Sequence, residues 1–339
     1  MNTAPEIYYN ALNILYKGDF SRLQKIWDKF QDWEAAWQKE KTNIDPVKEW
    51  QKVESLGITL LLKESAWYPN LLRNSLYAPL GIYVLGDISC REPSLAIVGT
   101  RAATPAGKTI AAEFARELSE YKIPIISGLA MGVDEAAHKG ALELQNKTIA
   151  VLGTPLDHIY PKQNEQLAKR ILEQGGAIVS EYPLSHQYRP QNFLIRNRII
   201  SGLATATLVI EAPQKSGSLA TARFAAEQGR EVFVIPGPIH SANYQGSLEL
   251  IKDGATLVTE PAYILSFFNI DPKSKTTSAD ESPEGSHTNQ ILKILRQKTN
   301  VSAEQLMQSV NIGVKELNQS LAMLTIKGII KESNGKYHL

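Results

Sequence analysis

The 339-residue sequence carries one cysteine, Cys90. That excludes a disulfide framework, leaves too few thiolates for a structural zinc site, and points to a reducing compartment, the cytosol by default. No stretch reaches the roughly 20 apolar residues that a spanning helix needs, and Met1 to Asn13 lacks a basic region followed by an apolar run. The expectation is a protein that is neither secreted nor embedded in a membrane. Charge of one sign is missing as well: 36 Lys and Arg stand against 35 Asp and Glu, for a net charge of +1. Any nucleic-acid binding must therefore come from a local patch. No two glycines are separated by a single residue, which removes the Gly-x-Gly-x-x-Gly fingerprint and argues against NAD or FAD. The six histidines include no His-x-x-x-His pair, so a catalytic transition-metal site has little support.

The apolar fraction of 43% is that of a globular protein, and the length suits two or three domains. All five Trp residues (Trp27, Trp33, Trp37, Trp50, Trp67) lie in the first fifth of the chain amid helical spacings such as Leu23, Ile26, Trp27 and Phe30. Residues 1–63 read as a small helical domain, SAM-like or helix-hairpin-like, with the Trp rings as its core in preference to a base-stacking surface. From Leu95 onward, short β-branched runs (95–98, 124–127, 149–152, 177–180, 207–210, 232–235) alternate with helical segments (106–121, 134–144, 164–173, 192–203, 219–228). Such alternation predicts an α/β domain over 64–268, a Rossmann-like, doubly wound, mostly parallel sheet whose ligands bind at the carboxyl ends of the strands. Residues 269–287, rich in Ser, Thr, Lys, Glu and Asp, read as a flexible linker. Apolar spacings over 288–339, with a turn at Asn334-Gly335, predict three helices and a hairpin, a winged helix-turn-helix.

Six turns at predicted strand ends or helix starts carry small, polar or basic residues: Gly99-Thr100-Arg101, Ser127-Gly128, Gly153-Thr154, Tyr160-Pro-Lys162-Gln-Asn164, Arg196-Asn-Arg198, and Lys215-Ser216-Gly217. Glycine lets backbone approach a ligand, helix N-terminal amides attract anions, and Arg or Lys supplies counter-charge. Singly each turn is explained by βα connection geometry; together they suggest a phosphate track. Three enzyme motifs nearby fail. Ala102 to Thr109 half resembles a nucleotide loop, but Ala102 replaces its first Gly, Pro105 removes a donor, and the strand at 207–210 ends in Glu211 rather than a metal-binding Asp. Gly128 to Gly132 has the spacing of a nucleophile elbow with Ala130 in place of Ser. Asp134 and His138 lie four apart on a helix face, but with no nucleophile a structural His is the better reading. No catalytic residue, metal or cofactor is expected.

The segments Ser94 to Arg101, Ser127 to Asp134 with Ala137-His138, Asn197 to Gly202, and Ser216 to Thr221 through Pro236-Gly237 resemble, in order, the DNA-processing protein A family (DprA/Smf). The resemblance implies an extended Rossmann domain that dimerises, binds single-stranded DNA without sequence preference, and loads the RecA recombinase onto incoming DNA in natural transformation. Gly99, Thr100 and Arg101 match the family's Gly-Ser/Thr-Arg turn, Ser127 and Gly128 its Ser-Gly turn, and Lys162 its basic residue after Tyr-Pro. Arg196, Arg198, Lys215, Ser216 and Gly217 fall in matching segments; for Arg198 a structural pair with Glu211 or Asp157 is the alternative. Ser241 to Leu248 departs from the family's Gly-Thr-Asn pattern, so Asn243 is given no role.

Such an activity needs no catalytic group. Cations track the backbone while Tyr160 or Phe193 stacks a base, with core packing the alternative for Phe193. In the C-terminal domain Lys315, Asn318 and Gln319 sit beside Glu316, a thin basic complement that suits protein contact as well as DNA. Two rivals remain: a nucleotide phosphoribohydrolase, whose loop should bring an acid where Lys215 to Arg223 has none, and a winged-helix regulator.

Overall fold

The structure, a computed structural model, describes residues 4–89, 92–272, 290–292, 294–295, 301–310, 313–326, 329–333 and 335–338. Cys90, Asn334 and nearly all of the expected linker lie outside them. The chain divides into two compact units, Met1–Ser274 and Lys275–Leu339.

The first unit opens with four short helices, α1 (Pro5–Leu15), α2 (Phe20–Phe30), α3 (Trp33–Trp37) and α4 (Pro46–Ser55). Asp19, Asp32 and Asp45 cap the last three by accepting amide hydrogens of the first turn, which satisfies donors a helix start leaves free. Trp33 is buried and stacks on Trp27 at 4.8 Å, so these rings are core.

That core is not separate from the sheet. Tyr9, Leu12, Trp33 and Val53 share one apolar cluster with Leu60, Tyr83, Ala150 and Ile178. Strand β1 (Thr59–Leu62), within the stretch expected to be purely helical, is an edge of the large sheet and pairs antiparallel with β2 (Gly81–Gly86). Helices this short cannot bury enough surface alone, and the sheet face supplies the remainder.

After β2, with α5 (Asn70–Arg73) before it, the expected alternation runs β3 (Leu95–Val98), α6 (Pro105–Ser119), β4 (Ile125–Ser127), α7 (Val133–Glu143), β5 (Thr148–Val151), α8 (Glu165–Glu173), β6 (Ala177–Ser180), α9 (Pro190–Leu203), β7 (Ala206–Val209), α10 (Gly217–Glu227) and β8 (Glu231–Val234). Then come α11 (Gln245–Lys252), β9 (Thr256–Leu257) and α12 (Pro261–Phe267). The nine strands order as β1-β2-β6-β5-β4-β3-β7-β8-β9. From β6 to β9 all pairs are parallel; β1 and β2 are antiparallel additions.

Alternate side chains of each strand enter opposite cores. Ala96 and Val98 of β3 pack with Ile199, Ile200 and Leu203 of α9 and with Leu219 and Ala222 of α10. Leu95 and Ile97 pack with Ala111, Phe114 and Ala115 of α6 and Ala137 of α7. The chain leaves β3 toward β4 by α6 on one face and reaches β7, on the other side of β3, by α9 on the opposite face. The crevice above the carboxyl ends of β3 and β7 is therefore the switch point of the winding, where such sheets take ligands. Ile270 packs on the second of these cores and Tyr121 Oη donates to the Pro272 carbonyl at 2.5 Å, so the first residues of the expected linker are held against the sheet.

In the second unit, residues 290–292 and 294–295 are helical, helices span Ala303–Val310 and Val314–Ile326, and three short strands form an antiparallel sheet of order β10-β12-β11: β10 (Val301–Ser302), β11 (Lys331–Ser333) and β12 (Lys336–His338). Leu306, Leu317, Leu321 and Leu324 are among its buried residues.

Candidate nucleic-acid interface

A cavity of about 460 Å³ occupies the switch point. One wall is the turn after β3, Gly99 to Arg101; the second is the loop after β7 and the start of α10, Pro213 and Lys215 to Ser218; the third is the first half of α9, with Pro190, Phe193, Leu194, Arg196 and Asn197. Seven of the residues selected from sequence thus meet in one place: Gly99, Thr100, Arg101, Arg196, Lys215, Ser216 and Gly217.

Each wall has a local cause. Thr100 donates its amide to the Glu211 carbonyl at 2.8 Å, and its Oγ1 accepts from the Ala102 amide, which bends the chain at the end of β3. Ser216 caps α10, its Oγ accepting from the Ser218 amide at 3.3 Å. Asn197 donates to the Gly217 carbonyl at 3.0 Å and ties α9 to the start of α10. The first turn of α10 thus faces the cavity with the positive end of its dipole.

The charged groups divide into exposed and buried. Arg101 and Lys215 are exposed, and among the described residues neither takes part in an ion pair. The Arg101 guanidinium lies 5.4 Å from the centre of the Phe193 ring. Arg196 is only 4% exposed; its Nη1 donates to the carbonyls of Gly128, at 2.7 Å, and Val151. Burial pushes its pKa down to about 10, Asp134 opposing and Arg101 adding to the shift. Arg196 is a buried strut across the ends of β4 and β5 that contributes positive potential to the cavity floor.

Gly128 serves this strut, since a Cβ there would stand 2.5 Å from the guanidinium. Its amide donates to Asp134 Oδ2 at 3.1 Å, and Ala130 donates to the same oxygen at 3.4 Å. Burial raises the Asp134 pKa, with the Arg196 charge opposing.

Four selected residues stand elsewhere. Ser127 is fully buried and its Oγ donates to the Ile97 carbonyl at 2.6 Å, so it braces β4 against β3. Asn164, 3% exposed, donates to the Leu129 carbonyl at 2.8 Å. Lys162 is exposed on the turn after Tyr160-Pro161, outside the cavity lining. Arg198 is a correction: it pairs with neither Glu211 nor Asp157 but with Glu181 at 2.6 Å, both side chains being buried, beneath the Phe20 ring. Residues two apart on a helix point about 200° apart. Arg196 therefore reaches the strand ends while Arg198 points toward the N-terminal helices.

The nucleotide-like loop is closed by the chain itself. Glu211, fully buried, accepts from the Thr104 amide and hydroxyl, from Asn243 Nδ2 at 3.0 Å and from Tyr244 Oη at 3.2 Å. A Cβ at Gly107, in the first turn of α6, would collide with that carboxylate. Asn243, given no role from sequence, also bonds the Ala102 carbonyl. Asp134 and His138 are separately engaged: His138 Nδ1 lies 2.7 Å from Thr148 Oγ1, and burial pushes the ring down to about 3. Among the described residues no metal-ligand cluster occurs, and no helix is long and apolar enough to cross a membrane.

Of the aromatic ground beside the cavity, the sequence points to Tyr160 and Phe193 as candidate stacking rings, but not to Tyr188 and His158. Phe193 is half-buried, 5.2 Å from Tyr160 and 6.0 Å from Tyr188, ring centre to ring centre. His158 stacks on Tyr188. His158 and Tyr160 lie in the segment after β5, Tyr188 just before α9 and Phe193 in α9 itself; they share no motif, so only the fold brings them together.

Comparison with known proteins matches residues 59–269, from β1 to just past α12, to the model of the family described as DNA recombination-mediator protein A. Protein Smf of Escherichia coli is 46% identical over 207 residues, 61% of this chain and 55% of that protein. DNA processing protein DprA of Streptococcus pneumoniae is 40% identical over 65% of this chain and 76% of its own length. The matched region thus spans little more than half of the Escherichia coli relative. Among solved structures, the Streptococcus pneumoniae protein superposes with a TM-score of 0.61 at 36% identity, covering 69% of this chain and 80% of that one. A DNA processing protein A from Helicobacter pylori, studied for its single-stranded DNA binding mode, gives 0.56 at 30% identity, over 62% of this chain and 95% of its own.

Proposed function

The chain belongs to the DNA recombination-mediator protein A family, and from that premise we propose that it is a non-enzymatic protein that binds single-stranded DNA without sequence preference, protects it, and loads RecA recombinase onto it during natural transformation. The observation that carries the reading is the meeting of Arg101, Lys215 and the first turn of α10 with the Phe193 ring in one cavity at the switch point. Phosphates take the cations and the helix N-terminus, and a ring beside them takes a base face. The Helicobacter pylori relative's single-stranded DNA binding supports the same use of the site.

A non-enzymatic role is supported by the carboxylate that lines the cavity. Asp134 accepts two backbone amides and faces Arg196, so it is committed to holding the loop rather than to moving protons. In this reading the protein works in the cytoplasm as a homodimer through the sheet domain, and the second unit is a winged helix that contacts DNA or protein.

Gel shifts with oligo-dT and duplex DNA, run beside an AMP hydrolysis assay, test it. The expected result is salt-sensitive oligo-dT binding that Arg101→Ala and Lys162→Ala weaken. A strong preference for duplex, or release of ribose phosphate from AMP, would sink the reading.

A further inference from the structure

Tyr160 and Tyr188 are 39% and 37% exposed, and His158 is also exposed. Single exposed rings are ordinary, but rings exposed together in one patch mark a surface for a ligand or partner. Among the described residues, none of these rings, nor Phe193, belongs to the apolar cores of the sheet domain. Instead they pack on one another. Tyr188 is the hub: it stacks on His158 at 5.2 Å with planes 28° apart, lies 5.8 Å from Tyr160, and meets Phe193 nearly edge-on at 6.0 Å and 82°. Its hydroxyl lies 3.2 Å from His158 Nε2.

The strip leaves the cavity through Phe193, which alone of the four lines it. Exposed cations accompany it: Lys162 two residues after Tyr160, Arg189 next to Tyr188, and Arg101 over Phe193. The neighbouring carboxylate, Asp157, accepts the Ser185 amide at 3.0 Å. Rings interleaved with cations are the chemistry that tracks unpaired bases and their backbone together. A duplex, whose bases are already stacked on one another, offers no face to such a strip.

We propose that Tyr188, held by His158 and Tyr160, forms a second nucleobase subsite, taking a base next to the nucleotide in the cavity. This rests on the single-stranded DNA reading above and adds to it a residue and a contact type. Stacking and phosphate contact differ in what they need from the ligand. A ring needs a base, whereas a cation needs only the phosphate and releases a counterion.

The test compares oligo-dT with an abasic oligomer of equal length and charge. Tyr188→Ala should weaken oligo-dT binding by about tenfold, within the range for losing one stacked base. It should leave abasic binding and the salt slope unchanged, and Tyr188→Phe should bind as wild type. Independently, irradiating the wild-type chain with a 5-iodouracil oligomer should give adducts at Tyr188 or His158. An equal loss on both oligomers, unchanged oligo-dT affinity in Tyr188→Ala, or adducts absent from both residues would overturn the subsite. A wild-type chain that fails to retain oligo-dT overturns the functional reading itself, which keeps the two failures apart.

Discussion

The division between exposed and buried cations makes a quantitative prediction about salt. Counterion release gives a slope of log affinity on log salt of about −0.7 for each phosphate neutralised on a single strand. Arg101, Lys215, Lys162 and Arg189 are exposed and available for this. Arg196 is not, since its guanidinium is already bonded to the Gly128 and Val151 carbonyls and faces Asp134. Four contacts give a slope near −3, so raising salt from about 50 to about 200 mM should weaken oligo-dT binding about fiftyfold. In an Arg101→Ala/Lys215→Ala variant two contacts remain, and the same change of salt should cost only about sevenfold. Fluorescence anisotropy of a labelled oligo-dT, titrated at four or five salt concentrations, reads both slopes. A double variant that keeps the wild-type slope would mean that phosphates are not held by these side chains, and the assignment of the cavity to the backbone of a polymer would fail.

Two further predictions concern the frame. Arg198→Met leaves the Glu181 carboxylate buried without its partner and should destabilise the sheet domain by about 3 to 5 kcal/mol in urea unfolding, whereas Arg198→Met/Glu181→Leu should recover most of that; equal losses in the two variants would refute the pairing. His138 is held neutral in the folded chain down to about pH 3, against 6.5 for an unperturbed ring. The lowered value means that the stabilisation is present in full above pH 6.5. It drains as pH falls toward 3, because the unfolded chain binds the proton first, at about 1.4 kcal/mol per pH unit. Denaturant midpoints should therefore fall below pH 6.5, and His138→Asn should flatten that dependence.

The parallel strands were legible because each is a short β-branched run between helix-period segments, and β3 to β8 fall within a residue or so of their expected positions. The additions at the edges were not. β2 finds its partner β6 about ninety residues later in sequence, and β9 has only two residues, too few for a period. Where the core of residues 1–63 continues was not legible for a related reason: Leu60 and Leu62 have the apolar look of any core, and nothing local says that their core is the sheet's. In the site, strand-end turns could be read as ligand-facing, but burial could not. Arg196, Arg198, Ser127 and Asn164 have the right chemistry for DNA and are used inside the protein.

Two helix starts flank the switch point, and the chain treats them oppositely. At α6 the position a nucleotide phosphate would take is filled by the Glu211 carboxyl, which already takes the Thr104 amide and hydroxyl that such a phosphate would need. At α10 the first turn lines the open cavity, with Lys215 beside it and Arg101 across from it. The loop that most resembles a nucleotide-binding motif is thereby filled by the chain's own carboxyl group. What remains runs from α10 past Arg101 and Phe193 to the rings of Tyr188 and Tyr160, cations first and aromatics after. That order suits a chain of nucleotides threading across the crevice better than a single nucleotide held in it, because the aromatic end lies outside the cavity and has no use for a ligand that stops there.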